Sequence, residues 1–113
     1  VGANIIARKL ELLLQKAALR SVDVANVLKI RSETVSRWNQ GRAFPQPDAE
    51  RRLLDLEYIV DQLADLYPPD EARLWLLSRQ RLLDGEIPAE LIQQGRTPEV
   101  IQLIKQIAEG GAR

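Results

Sequence analysis

The residues best equipped for chemistry in this chain lie between Ser32 and Arg42: Ser32, Glu33, Thr34, Ser36, Arg37, Gln40 and Arg42. They supply hydroxyls, an amide, a carboxylate and two guanidinium groups, a set suited to reading base edges and phosphates rather than breaking bonds. Arg37 is the strongest single candidate, because a guanidinium to guanine is the commonest specific contact. Glu33 is the exception in this set. A carboxylate near DNA repels phosphate and must be compensated, for example by accepting from a cytosine amino group. Catalysis has few tools here: the 113 residues include no cysteine and no histidine, which removes disulfides, thiolate nucleophiles, imidazole bases and nearly every zinc site. The acids are scattered over predicted helix surfaces without a nucleophile–base pair or a metal set. An enzyme is therefore the least favoured class, and no catalytic residue, metal or cofactor is expected.

The element that must present these residues is the segment Ser21–Pro45, which reads as two short helices joined by a tight turn. Ser21 is placed to cap the first, whose apolar side is Val24, Ala25, Val27 and Leu28, with Ala25 small where a second helix crosses closely. The turn falls at Lys29 to Arg31. Ser32 is placed to cap the second helix, whose large apolar members are only Val35 and Trp38, so one narrow stripe faces the core and the polar side is left free. Gly41 ends it as a C-cap, and Arg42 to Pro45 leads away. Trp38 is read as core, not as a stacking platform. An ordinary helical hairpin in an all-α domain would satisfy the same pattern; the polar face favours a helix-turn-helix DNA reader.

Charge divides the chain. Up to Arg52 there are ten basic residues against five acidic, a net of +5; from Leu53 onward six basic meet eleven acidic, a net of −5, so the whole is neutral. A basic half suits phosphate and an acidic half does not, which assigns the two ends different partners. At this length the chain is one compact unit or two small lobes sharing a core, burying about two-thirds of its unfolded surface. No apolar run reaches the ~18 residues needed to span a bilayer and no signal-peptide pattern is visible, so the cytoplasm is the expected address. Because the sequence opens on Val1, the native start is expected upstream or trimmed.

Helices and no convincing strand are predicted elsewhere. Asn4 to Ala18 places Ile6, Leu10, Leu13 and Ala17 at helical spacing, with a second stripe of Ile5 and Leu12 turned toward the C-terminal half. A long helix, about Asp48 to Leu66, carries Leu53, Leu56, Val60, Leu63 and Tyr67 and fits either a packed domain helix or a two-heptad coiled-coil seam, with the former preferred. Pro68-Pro69 breaks it, and Asp70 opens a short helix through Ala72, Leu74, Trp75, Leu76 and Leu77, a cluster that must be buried in the core or against a partner. Ser78 to Gly85 is irregular or a single turn. A short helix over Ile87 to Ile92 follows, then Gly95, then a Thr97-Pro98-Glu99 start signal for a last helix to Glu109, with Val100, Leu103, Ile104 and Ile107 as its apolar face. Gly110 to Arg113 forms a tail.

The run Thr34-Val35-Ser36-Arg37-Trp38, followed by Gly41-Arg42 and Pro45, resembles the Xre-type helix-turn-helix of phage repressors and bacterial regulators. On that pattern Ser32, Glu33 and Arg37 face base edges, and Thr34, Ser36, Gln40 and Arg42 contact bases or phosphates. The second half, with Trp75-Leu76, Leu82-Leu83-Asp84-Gly85-Glu86-Ile87-Pro88, Leu91-Ile92, Gly95-Arg96, Leu103-Ile104 and Glu109-Gly110, resembles the toxin-binding domain of Xre/MbcA/ParS-type antitoxins. Together the two resemblances cover nearly the whole chain in the family's order. They imply an all-α protein with a helix-turn-helix region over 1–47, a connecting long helix over 48–67 and a toxin-binding domain over 68–113.

The resemblance further implies an antitoxin that neutralises a RES-domain, NAD-degrading toxin through its C-terminal region and autoregulates its operon by binding promoter DNA. The family's C-terminal end lies over or enters the toxin's active-site cleft, which carries the inhibitory role onto the last helix and Glu109, Gly110, Gly111, Ala112 and Arg113. A short glycine-bearing tail suits a cleft, and Arg113 with its terminal carboxylate offers charges to groups that hold a dinucleotide. Without the family, this tail would read as a frayed terminus. Arg79, Arg81 and Arg96 are further interface candidates, able to pair bidentately with carboxylates on the toxin or to pair within the chain. A homodimer is expected, because one short recognition helix reads too few base pairs for useful specificity. Two other classes fit the residues: a stand-alone Xre-type repressor whose second half only dimerises, and an adaptor whose helix-turn-helix has lost DNA binding.

Overall fold

In the computed structural model, which describes residues 2–110 and side chains from residue 5 onward, the chain is all-α. Seven α-helices follow in order: α1 Gly2–Ala17, α2 Ser21–Leu28, α3 Ser32–Asn39, α4 Pro47–Ala64, α5 Pro69–Leu77, α6 Pro88–Gln93 and α7 Thr97–Ala108. A single 3-10 turn, Arg81–Leu83, sits between α5 and α6, and one isolated antiparallel bridge pairs Gln80 with Glu86. The periodic apolar positions explain the packing. Ile6, Leu10, Leu13 and Ala17 of α1, Val24, Ala25, Val27 and Leu28 of α2, and Val35 and Trp38 of α3 are all buried. So are Leu53, Leu56, Val60 and Leu63 of α4 and Val100, Leu103 and Ile104 of α7. One continuous hydrophobic cluster joins these helices, with α1 touching α3, α4 and α5, and α4 touching α2, α5, α6 and α7.

Several local details differ from the sequence reading. Ser21 and Ser32 are the first residues of their helices rather than the caps; Arg20 and Arg31 hold the cap positions in extended conformation. For α2 the missing cap is replaced by Asp23, whose carboxylate accepts the Arg20 N–H at 2.9 Å. Gly41 lies one residue beyond the α3 C-cap Gln40, at φ +76°, and lets the Arg42 N–H close onto the Arg37 carbonyl at 2.8 Å. Thr97 does not cap α7. It is buried and donates its hydroxyl to Asp55 of α4 at 3.0 Å. Ile59 and Leu19 join the core although the apolar spacing did not single them out. Ile5 is 52% exposed, so the second α1 stripe is not a buried face. In α5 only Ala72 and Leu76 are buried; Trp75 is half-buried, while Leu74 is 67% exposed and Leu77 also reaches solvent. Among the described residues no helix is long and apolar enough to cross a membrane.

Candidate functional site

Two surfaces gather the candidate residues. On the first, α1 and α2 support α3 from beneath: Val35 is fully buried and Trp38 is 2% exposed. That anchoring turns Ser32, Glu33, Ser36, Arg37, Gln40 and Arg42 outward, all exposed, with Thr34 half-buried. Between α2 and α3, Lys29 adopts the left-handed conformation at φ +59°, and its N–H and that of Ile30 return to carbonyls of α2. The turn is thereby closed by backbone alone, leaving its side chains free. Neither Arg37 nor Arg42 forms an ion pair among the described residues. Thr34 and Arg37 border a shallow hollow shared with Ile30 and Phe44, an aromatic ring 58% exposed.

Glu33 has a local anchor. Its own backbone N–H and the Ser32 hydroxyl, 3.2 Å away, hold its carboxyl below the usual range, with Arg31 adding a smaller pull in the same direction. An acid in the first turn also opposes the positive end of the helix dipole. The chemical meaning of this face is plain: α3 and the turn that follows it present two guanidinium groups with no ion-pair partner among the described residues, several neutral hydrogen-bonding groups and one fixed carboxylate.

The second surface is the end formed by the 3-10 turn, the bridge and α7. Arg79 donates to the Gly85 carbonyl at 3.1 Å, bracing the reversal between Gln80 and Glu86. Arg81 is exposed. Arg96 is engaged within the chain: its guanidinium bonds both carboxylate oxygens of Glu99 at 2.8 Å and reaches Glu86 at 2.9 Å. The hydrogen bonds to Glu99 and then to Glu86 raise the Arg96 pKa, and the same contact lowers that of Glu99. This fork pins the stretch after the 3-10 turn to the first turn of α7. Glu109 is the exposed C-cap of α7 and Gly110 follows at φ +78°, a conformation suited to ending a helix. Gly111, Ala112 and Arg113 lie outside the described residues. A shallow groove runs beside this end, lined by Leu82, Glu86, Arg96, Glu99, Leu103 and Gln106.

Between α2 and α5 lies a contact that the sequence did not disclose. Arg73 of α5 donates to both carboxylate oxygens of Asp23 on α2 and to the Ala18 carbonyl at 3.1 Å. Asp23 is 8% exposed. Burial pushes its carboxyl up, but the Arg73 hydrogen bond, the Arg20 N–H and the two nearby positive charges outweigh it, leaving the pKa below its ordinary value. Arg73 is raised in turn, chiefly by its bond to Asp23. Fifty positions separate the partners, so no local signal could pair them. At α6, Gln93 reaches the Asn26 carbonyl of α2. Among the described residues no group of three or more His, Cys, Asp or Glu side chains is arranged to hold a metal ion.

No protein-family model matches the chain. It is 33% identical over 110 residues to the mycobacterial cidal antitoxin MbcA of Mycobacterium bovis and to that of Mycobacterium tuberculosis, covering 97% of each chain. A probable mycobacterial cidal antitoxin of Mycobacterium tuberculosis is 30% identical over 97 residues, 86% of this chain and 83% of the relative. Its fold matches a chain in the crystal structure of the M. tuberculosis MbcT–MbcA toxin–antitoxin complex with a TM-score of 0.83 and 33% identity, over 95% of this chain and 96% of that one. Near-complete coverage on both sides at 33% identity, together with the same helical fold, leads to one conclusion: the chain belongs to the MbcA family of antitoxins.

Proposed function

We propose that the chain binds and neutralises a RES-domain, NAD-degrading toxin through the region 68–113, and represses its own operon by binding promoter DNA through the region 1–47, with 48–67 as the connecting helix. The observation that carries the antitoxin role is the full-length likeness to MbcA, a protein solved in complex with the toxin MbcT. Neutralisation needs binding and no chemistry by this chain. Glu109, Gly110, Gly111, Ala112 and Arg113 act as the inhibitory tail, running on from the exposed end of α7. Arg81 meets carboxylates of the toxin, Arg79 holds the adjoining reversal in shape, and Arg96 sets the groove beside α7 through its internal fork. The exposed Leu74, Leu77 and Leu82 supply apolar contact.

DNA binding is supported by the outward face of α3 and by the +5 balance of residues up to Arg52. Ser32, Glu33 and Arg37 face base edges, while Thr34, Ser36, Gln40 and Arg42 contact bases or phosphates. A homodimer presents two such helices to paired half-sites. Co-expression with the product of the adjacent gene tests the antitoxin role. Growth arrest by the neighbour alone, relieved by this chain, is the expected result; a harmless neighbour would favour a stand-alone repressor.

A further inference from the structure

We propose that Glu33 fixes a cytosine in the operator, close to the guanine taken by Arg37; this deepens, and rests on, the DNA-binding reading above. Glu33 and Arg37 are four residues apart on α3, both exposed, so they share one face about 6 Å apart along the axis, within two base steps. That spacing is the one at which a glutamate and an arginine commonly pair across a helix turn. They do not pair here. The Glu33 carboxylate is turned back to the Ser32 hydroxyl at the start of the helix, and Arg37 has no carboxylate partner among the described residues. An acceptor and a donor are therefore presented separately on one edge.

The carboxylate also decides how α3 approaches DNA. A bare helix N-terminus attracts phosphate. With Glu33 at the second position, that end repels phosphate and gains only where an amino group faces it. In the major groove two bases offer one, cytosine through N4 and adenine through N6. Adenine sets its N7 lone pair beside N6, which opposes a second carboxylate oxygen and suits an amide instead; cytosine presents its donor alone. An ionised acceptor one turn from a guanidinium thus selects cytosine near guanine. An exposed carboxyl is ionised at neutral pH, so the acceptor carries its charge.

The test is selection of a randomised duplex library by the full chain and by Glu33→Gln at one salt concentration. Glu33 is exposed and outside the core, so both proteins are expected to fold alike. Wild type should retain a cytosine within two base pairs of a preferred guanine. Glu33→Gln should lose that cytosine preference by about tenfold, shift toward adenine and keep the guanine. It should also bind random-sequence DNA more tightly, having lost a charge that repels phosphate. Identical base preferences in the two proteins, or adenine at that position in wild type, would overturn the role of Glu33 while leaving DNA binding intact. Enrichment of no sequence by wild type would remove the DNA-binding reading itself and this inference with it.

Discussion

Replacing Asp23 with asparagine removes a charge while preserving shape, and the structure sets the expected cost. Asp23 is 8% exposed and takes two hydrogen bonds from the Arg73 guanidinium, whose side chain is 30% exposed. Breaking a fully buried pair from one side costs about 3–5 kcal/mol. Here Arg73 can regain water, and an asparagine oxygen can still accept from either the Arg20 N–H or the guanidinium, so about 2 kcal/mol is expected. For a chain of this length that corresponds to a fall in Tm of about 8 °C. The sign of the pH dependence follows from the lowered carboxyl. A carboxyl depressed in the folded state stabilises it fully above the unfolded pKa of about 3.9, and that contribution is lost as pH falls through the folded value. The gap between wild type and Asp23→Asn should therefore be full at pH 7 and shrink below about pH 4. Urea unfolding at several pH values, with Arg73→Met and the double variant completing a cycle, measures both terms. A cost below about 0.5 kcal/mol at pH 7, or a gap that widens on acidification, would refute the reasoning.

Three further outcomes are expected. Arg37→Ala should weaken promoter binding by about tenfold, read by mobility shift, while toxin neutralisation is unchanged. Deleting Gly110 to Arg113 should impair neutralisation far more than DNA binding; full protection by the truncated chain would exclude the inhibitory tail. Gly95→Ala should lower stability by about 1 kcal/mol, because Gly95 sits at φ +83° and a Cβ there would meet the Arg52 guanidinium at 2.9 Å.

The helices were legible because their apolar spacings are regular and their punctuation is strong. Pro69 and Pro88 each fall at the start of a helix, as proline in a first turn should. The caps were misplaced by one residue at α2 and α3, since an arginine, a serine and an acid (Asp23 at α2, Glu33 at α3) crowd each boundary and sequence does not decide which residue holds the cap position. Thr97 shows the same limit from another direction. It has the right type and place for a cap, yet a carboxylate 42 positions earlier takes its hydroxyl. Exposure of Leu74 beside buried Ala72 and Leu76 depends on which side of α5 meets α1 and α6, a tertiary fact. On the candidate surfaces, the outward set of α3 was readable because Val35 and Trp38 fix its inward side. The Asp23–Arg73 link and the two-carboxylate fork of Arg96 were not, because each involves a partner beyond the reach of local spacing.

Neutralisation is tested most directly with purified components. The product of the adjacent gene, the proposed toxin, is incubated with NAD while this chain is titrated in, and NAD loss is followed together with complex formation. NAD consumption should stop as the chain approaches stoichiometric occupancy of the toxin, with the complex appearing in parallel. Undiminished NAD loss in the presence of excess chain, with no complex formed, would contradict the account.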